Sequence, residues 1–250
     1  MRLASSLQKG ANVDEENPYW MSFSDIMAGL LVIFVLAVVA LVLELMQKRQ
    51  DWDAAINEIR EAEEVRAELL REIEQELRKK DIRVSLGEND TVLRIPEDVL
   101  AFRSGRYEVP EDERSQKVTL EIGRVLFASI EKNDRWKYLD TVFVEGHTDK
   151  IPYRNAAIQE NWGLSTFRAI SVWRYWNEKL PKGQRPEELV SHDHKKLFSV
   201  SGYAETRPRL DTLKDPDSKK SLKKNRRIDI RFTIKRPSLA DFEKIKAKLK

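Results

Sequence analysis

The chain has 250 residues, 35% of them charged, a net charge of +3 and a mean hydropathy of −0.57, the averages of a soluble, highly charged protein. It has no cysteine, which excludes disulfides and leaves the redox compartment undetermined. The averages hide a sharp partition, because no charged or strongly polar side chain occurs from Ile26 to Leu43.

Residues 1–18 are polar and without periodicity, and a short tail is expected there, disordered or bound to a partner. A transmembrane helix is predicted over 19–46, in the stretch YWMSFSDIMAGLLVIFVLAVVALVLEL and its last flanking residue. At ~1.5 Å per residue the uncharged run crosses a hydrocarbon core of about 30 Å only with its flanks included. Tyr19 and Trp20 stand at one end, where amphipathic rings favour the interface. Glu44, Lys48 and Arg49 close the other. The run is too long for a cleaved signal peptide, and Arg2 and Lys9 before it are offset by Asp14, Glu15 and Glu16, so a retained signal anchor is the better reading. Lysine and arginine are too evenly split to orient it.

Residues 47–80 are rich in Glu, Arg, Ala and Leu and contain no Gly or Pro. Trp52, Ile56, Ile59, Leu69, Ile73 and Leu77 recur at helical spacing, a charged linker helix with one narrow apolar stripe broken around 62–66. The stripe is either a seam between two copies of the chain or the plain continuation of the membrane helix. From residue 81 the texture changes to mixed strands and helices. IRVSLGENDTVLRIP gives two short strands about a turn, Thr119–Glu131 a helix, and YLDTVFVEGHTD a strand ending in a polar loop. Asn161–Leu180 follows as a helix with Leu164, Phe167, Ile170, Val172 and Trp176 as its apolar contacts, then LFSVSGYAE as a strand. RRIDIRFTI alternates Ile228, Ile230, Phe232 and Ile234 inward, a half-buried strand. Residues 81–236 suffice for one core of helices on one sheet. Residues 237–250 form a charged helix or tail, and repeats are absent.

Asp25 interrupts the apolar run near its start, and an ionised carboxylate in hydrocarbon costs about 3 kcal/mol or more. One turn on, Ala28 and Gly29 are small enough for a neighbouring helix to approach closely, and Ser22 lies one turn back. Buried in such a seam, a carboxylate can exchange a proton without meeting lipid. Each unit charge falling through 100 mV supplies about 2.3 kcal/mol. The other reading places Asp25 among headgroups as an N-terminal helix cap. Position alone leaves the two level.

VFVEGHTDKIPYRNAAIQENWGLSTFRAISVWRYW resembles the peptidoglycan-binding domain of the OmpA family, through Gly146-His147-Thr148-Asp149, Asn161, Leu164-Ser165 and Arg168-Ala169. VLAFRSGRYEVPEDER is similar to that family's opening strand and loop, and FSVSGYAETRP and NRRIDIRF to its later strand, loop and final strand. The spacing from Asp149 to Leu164 is closer to that of flagellar stator subunits of the MotB type than to OmpA-type porins. The order of parts, an aspartate at the start of one span, a periplasmic helix and an OmpA-like domain, also resembles MotB-type stators. SDIMAGLLVIF and the absence of a strongly basic tail look more like the ZorB subunits of Zorya anti-phage systems.

The resemblance implies an α+β chain: a single N-terminal transmembrane helix, a helical linker and an OmpA-like α/β sandwich domain over 81–236. It implies an inner-membrane location, with residues 1–18 cytoplasmic and the linker and wall-binding domain periplasmic. Asp149, Asn161, Leu164 and Arg168 would bind peptidoglycan. Its diaminopimelate offers an ammonium for Asp149 and a carboxylate that Arg168 can grip bidentately, whereas without the motif Asp149 reads as a turn cap and Arg168 as a helix-surface residue. Asp25 would carry the ion, a proton rather than sodium, since the helix beyond it offers no further oxygen ligands. The partners implied are a second copy of this chain, a pentameric ring of a multi-span ZorA- or MotA-like subunit, and peptidoglycan. A flagellar MotB-type stator and a passive OmpA-like tether without ion flow are the alternatives. No catalytic pair, cofactor motif or metal set stands out. His147 reads as a packed, hydrogen-bonded histidine, and His192 and His194 as a solvated loop. The basic run Lys219–Arg227 reads as a solvated helix, and nucleic acid is not expected as a partner.

Overall fold

The computed structural model describes residues 18–154 and 160–236, so the tail read at 237–250 and all but the last residue of the tail read at 1–18 lie outside the described residues. The chain divides into two compact units, residues 1–54 and 55–250.

The first unit holds most of the apolar part of helix α1 (Pro18–Lys79). Proline at the first helical position needs no amide partner and has a preset φ, so it starts the helix at no cost. Ile26, Leu30, Leu31, Ile33 and Phe34 are all more than half exposed. A helix apolar all round and this exposed among the described residues is suited to lipid or another protein around it. Among the described residues this is the one helix long and apolar enough to cross a membrane.

The second unit is built on a five-stranded sheet of order β1-β2-β5-β3-β4. Its strands are β1 (Ser85–Gly87), β2 (Val92–Pro96), β3 (Leu139–His147), β4 (Phe198–Gly202) and β5 (Arg227–Ile234). Only β3 and β4 are parallel, joined by a crossover that contains α4 (Glu160–Lys179); the other pairs are antiparallel. The remaining helices are α2 (Glu97–Leu100), α3 (Glu113–Glu131) and α5 (Lys219–Asn225). Asp112 caps α3, its carboxylate accepting from the Ser115 amide at 2.9 Å, so the helix starts two turns before the apolar pattern at Thr119 shows it.

One sheet face is apolar. Leu93 and Ile95 of β2, Ile228, Ile230 and Phe232 of β5, and Val142 and Val144 of β3 are buried against Ile122, Leu126 and Phe127 of α3 and Val172 and Trp176 of α4. The Trp176 indole donates to the Thr119 carbonyl at 2.7 Å, so its one polar group is satisfied. Phe167 does not join this core: it is partly exposed and lies against Tyr107. Leu69, Ile73 and Leu77 of α1 are wholly buried in the same core, so this half of the stripe packs on its own domain and is not available as a seam between copies. The stretch VLAFRSGRYEVP is no strand; it is the end of α2 followed by irregular backbone.

The opposite face is polar, yet it too is buried. Arg94, Asp229 and Glu145 are neighbours across β2, β5 and β3, and His147 stands opposite Arg227. Arg227, Asp229, Glu145 and His147 are each less than 9% exposed. Strand β5, expected to be half-buried, is therefore buried on both faces over its first half.

Candidate ligand-binding site

The four residues singled out in the second unit come together. Asp149, Asn161, Leu164 and Arg168 line one cavity of about 330 Å³ with Glu97, Ser104, Tyr153 and Arg226. A larger cavity of about 600 Å³ lies beside Ile59, Arg66 and Phe232 and touches none of the four. The smaller one forms where β3 ends and β5 and α4 begin, because α4 lies close against the sheet. A Cβ added to Gly146 would stand 1.9 Å from the Ser165 carbonyl oxygen, and one added to Gly202, its partner in register, 2.1 Å from the Thr166 hydroxyl.

Each side chain already has protein partners. One Asp149 oxygen accepts from the Ile151 amide at 3.0 Å, closing the turn after β3, and the other pairs with Arg226. Asn161 accepts from the Tyr153 amide at 3.1 Å and donates to the Ile151 carbonyl at 3.2 Å and to Glu205 at 3.1 Å. It is a clasp on the 149–153 loop. Leu164 supplies apolar wall. Arg168 donates from Nε to the Arg106 carbonyl at 3.0 Å and from Nη2 to the Arg103 carbonyl at 3.4 Å, with its plane over the Phe102 ring. That edge of its fork is committed to the 103–106 loop; Nη1 is the nitrogen those carbonyls do not engage. Burial lowers the Arg168 pKa, against the opposing pull of Glu97.

Two residues of the site escaped the sequence reading. Arg226 donates from Nε to Glu97 Oε1 at 2.6 Å and from Nη1 to Asp149. The hydrogen bond it donates to Glu97, above all, raises its pKa. The basic run to which Arg226 belongs ends its helix at Asn225, and the two arginines that follow separate: Arg226 enters the cavity and Arg227, the first residue of β5, is buried on the polar face of the sheet. The period-two alternation of NRRIDI carries that signal, and the surrounding lysines mask it. Nothing local marks Glu97.

His147 is buried and stacked on Tyr203, whose ring also carries the Arg207 guanidinium 3.8 Å from its centroid and whose hydroxyl donates to Glu145 at 3.3 Å. Neither of its nitrogens makes a hydrogen bond of good geometry, contrary to the hydrogen-bonded histidine expected; Asp229 lies 3.4 Å from Nε2. Ligand atoms of Glu145, His147 and Asp229 lie within 4.8 Å of one another, a spacing open to a metal ion. The charges around them argue otherwise. Arg227 bonds Asp229, Arg231 bonds Glu145, and Arg94 stands 3.7 Å from Asp229. The same cations, with burial as the main cause, push the imidazole down to about 2. Arginines already neutralise these carboxylates, and their field opposes a further cation.

Comparison with known proteins follows the same lines. Residues 101–222 match the model of the OmpA family. The uncharacterized protein YtxE of Bacillus subtilis is 37% identical over 87 residues, 35% of this chain and 30% of that protein. Motility protein B of Bacillus subtilis is 28% identical over 135 residues, 53% of this chain and 41% of that protein. The matches thus span less than half the length of these curated relatives. A MotB like protein from Desulfovibrio vulgaris superimposes with a TM-score of 0.49 at 19% identity, covering 71% of this chain and 99% of that one. Asp149, Asn161, Leu164 and Arg168 therefore lie within the residues that match the OmpA family model, and one long apolar helix precedes them in the chain.

Proposed function

We propose that this chain is the peptidoglycan-anchored subunit of an ion-driven motor complex in the bacterial inner membrane, with Asp25 as proton carrier. The observation that carries the wall-binding half is the convergence of Asp149, Asn161, Leu164 and Arg168, with Arg226, in one cavity within and beside the OmpA-family residues. A cavity with two carboxylates and two guanidiniums suits a ligand end bearing both an ammonium and a carboxylate, the chemistry of diaminopimelate in stem peptides. It offers fixed charges for binding, and the proposed role is anchorage rather than catalysis.

The motor half rests on Asp25 in a helix whose small residues Ala28 and Gly29 permit close approach of a partner helix. The partners are a second copy of this chain and a multi-span ZorA- or MotA-like subunit forming a pentameric ring, with the N-terminus cytoplasmic and the wall-binding domain periplasmic. The SDIMAGLLVIF string favours a ZorB-type subunit of Zorya anti-phage defence. The similarity to Motility protein B favours a flagellar stator subunit as the second reading. Asp25, close to the start of α1, also suits a third, the passive tether.

The test is sedimentation of the detergent-solubilised full chain with purified peptidoglycan sacculi. The wild type is expected to co-sediment, and Asp149→Asn and Arg168→Ala to lose about tenfold or more in apparent affinity, as for loss of a charged hydrogen-bonded partner. Equal sedimentation of all three overturns the wall-binding reading.

A further inference from the structure

The apolar stripe of α1 is treated differently along its length. Leu69, Ile73 and Leu77 are wholly buried in the core, whereas Ile56 and Ile59, earlier on the helix, are 48% and 36% exposed. Ile59 borders the cavity of about 600 Å³, a groove that runs between α1 and the end of β5 with Arg66, Phe232, Ile234 and Arg236 in its walls. Those walls are largely apolar. They also hold a donor in need of an acceptor: Arg66 Nε is buried with no hydrogen-bond partner among the described residues.

The chain leaves the sheet at this groove. The Lys235 amide donates to the Tyr138 carbonyl at 2.9 Å and its Nζ to Glu58 at 2.9 Å, which holds the end of β5 beside the residue next to Ile59. Residues 237–250, PSLADFEKIKAKLK, start from that point. Leu239, Phe242, Ile245 and Leu249 recur in them at spacings of three and four, one apolar face with Lys244 opposite. Ser238 followed by Asp241, just after Pro237, is a helix-start pattern. The charges match as well. Lys244, Lys246, Lys248 and Lys250 stand in this segment, and Glu58, Glu61, Glu63 and Glu64 outnumber Arg60 on the facing stretch of α1. A segment tethered at the groove's edge acts there at an effective concentration on the order of millimolar, which a partner from solution must overcome.

We propose that residues 237–250 dock in cis on α1 as an amphipathic helix, with the apolar face of Leu239 and Phe242 on Ile56 and Ile59 and its lysines along the glutamates of α1. The docked segment covers the part of the stripe that the core leaves open. That part is then available to a second copy of the chain only when the segment is released. The proposal concerns residues on either side of the OmpA match at 101–222 and does not rest on the wall-binding reading.

The chain has no cysteine, so introduced pairs report the contact in the detergent-solubilised full chain under mild oxidation. Ile56→Cys is combined in turn with Leu239→Cys, Phe242→Cys and Lys244→Cys. A disulfide needs Cα atoms about 4.4–6.8 Å apart. A disulfide within one chain is therefore expected with Leu239→Cys or Phe242→Cys, and to form several times more slowly with Lys244→Cys on the opposite face. Mixing with a tagged copy separates links within a chain from links between chains. Disulfides only between chains give the face to a second copy and overturn docking in cis; equal rates at all three positions, or no disulfide at any, overturn it as well. In a second measurement Ile56→Cys alone is expected to link two copies several times faster once residues 237–250 are removed. An unchanged rate overturns the claim that the segment keeps a second copy from this face. Sedimentation on sacculi is expected to be the same for all these variants, so failure here and failure of the wall-binding reading are read separately.

Discussion

His147 shows how a single side chain sets the acid sensitivity of this domain. Its ring is buried against Tyr203 and among arginines, and its pKa is pushed down to about 2, first by burial and then by Arg227 and Arg207. In the unfolded chain a histidine titrates near ~6.5. Above that pH neither state holds the proton and the contribution to stability is complete. Below it the unfolded chain takes a proton that the folded chain refuses, so stability falls as pH falls, by up to about 1.4 kcal/mol per pH unit. Glu145 and Asp229 work against this, since burial raises both and they accept protons in the folded state first. Both proteins carry these two acids, so comparing the wild type with His147→Gln isolates the histidine. His147→Gln cannot titrate, so its melting temperature is expected to fall less between about pH 6.5 and about pH 5 than that of the wild type. Parallel curves for the two proteins would contradict the buried neutral imidazole. The sequence could say that His147 is packed; it could not say that arginines from β2 and β5 surround it, because those contacts come from strand register.

At the scale of elements, two contacts hold the site. The first is α4 on the sheet. Gly146→Ala places a methyl group inside the Ser165 carbonyl, and backbone cannot yield as a side chain tip can. The helix must lift from β3, at a cost expected to exceed about 3 kcal/mol, with Asn161, Leu164 and Arg168 displaced together. A thermal melt and a sacculus sedimentation of this variant are expected to fail together. The second contact is the end of α1 on the core. Leu69→Ala empties a wholly buried position and is expected to cost about 2–5 kcal/mol, read as a lower melting temperature of the domain. A melting temperature equal to the wild type's would return this segment to the role of a free linker. The apolar stripe of this helix was visible in the sequence, but not what it packs on, since periodicity marks a face and never its partner. The polar face of β5 was misread for a related reason. Charge ordinarily signals exposure, and here Arg227 and Asp229 pair with one another in the interior. The motif residues of the cavity were legible as a set, because their order along the chain is the family's. The commitment of Arg168 to the carbonyls of Arg103 and Arg106 was not, since it depends on an irregular loop far away in sequence.

For the whole molecule the two units imply separable functions. The first presents an apolar helix exposed among the described residues, and Asp25 is the one acid at the start of that apolar run before Glu44. The second has the cavity and its fixed charges. If Asp25 carries protons, its replacement must stop transport without touching attachment to the wall. Asn is the sharpest substitution, since it preserves shape and hydrogen bonding yet cannot gain and lose a proton. Asp25→Asn is therefore expected to sediment with sacculi as the wild type does. In vesicles containing the multi-span partner, proton flux is expected to fall to background in the variant and to persist in the wild type. Each proton crossing 100 mV releases about 2.3 kcal/mol, more than thermal agitation supplies, so even one titrating carboxylate per copy can drive a stepwise movement against the anchored domain. Flux that survives in Asp25→Asn would deny that carboxylate its role as carrier. Absence of flux in both proteins would leave the chain as a tether, with wall attachment its whole function and the acid at the membrane surface a cap on the first turns of its helix.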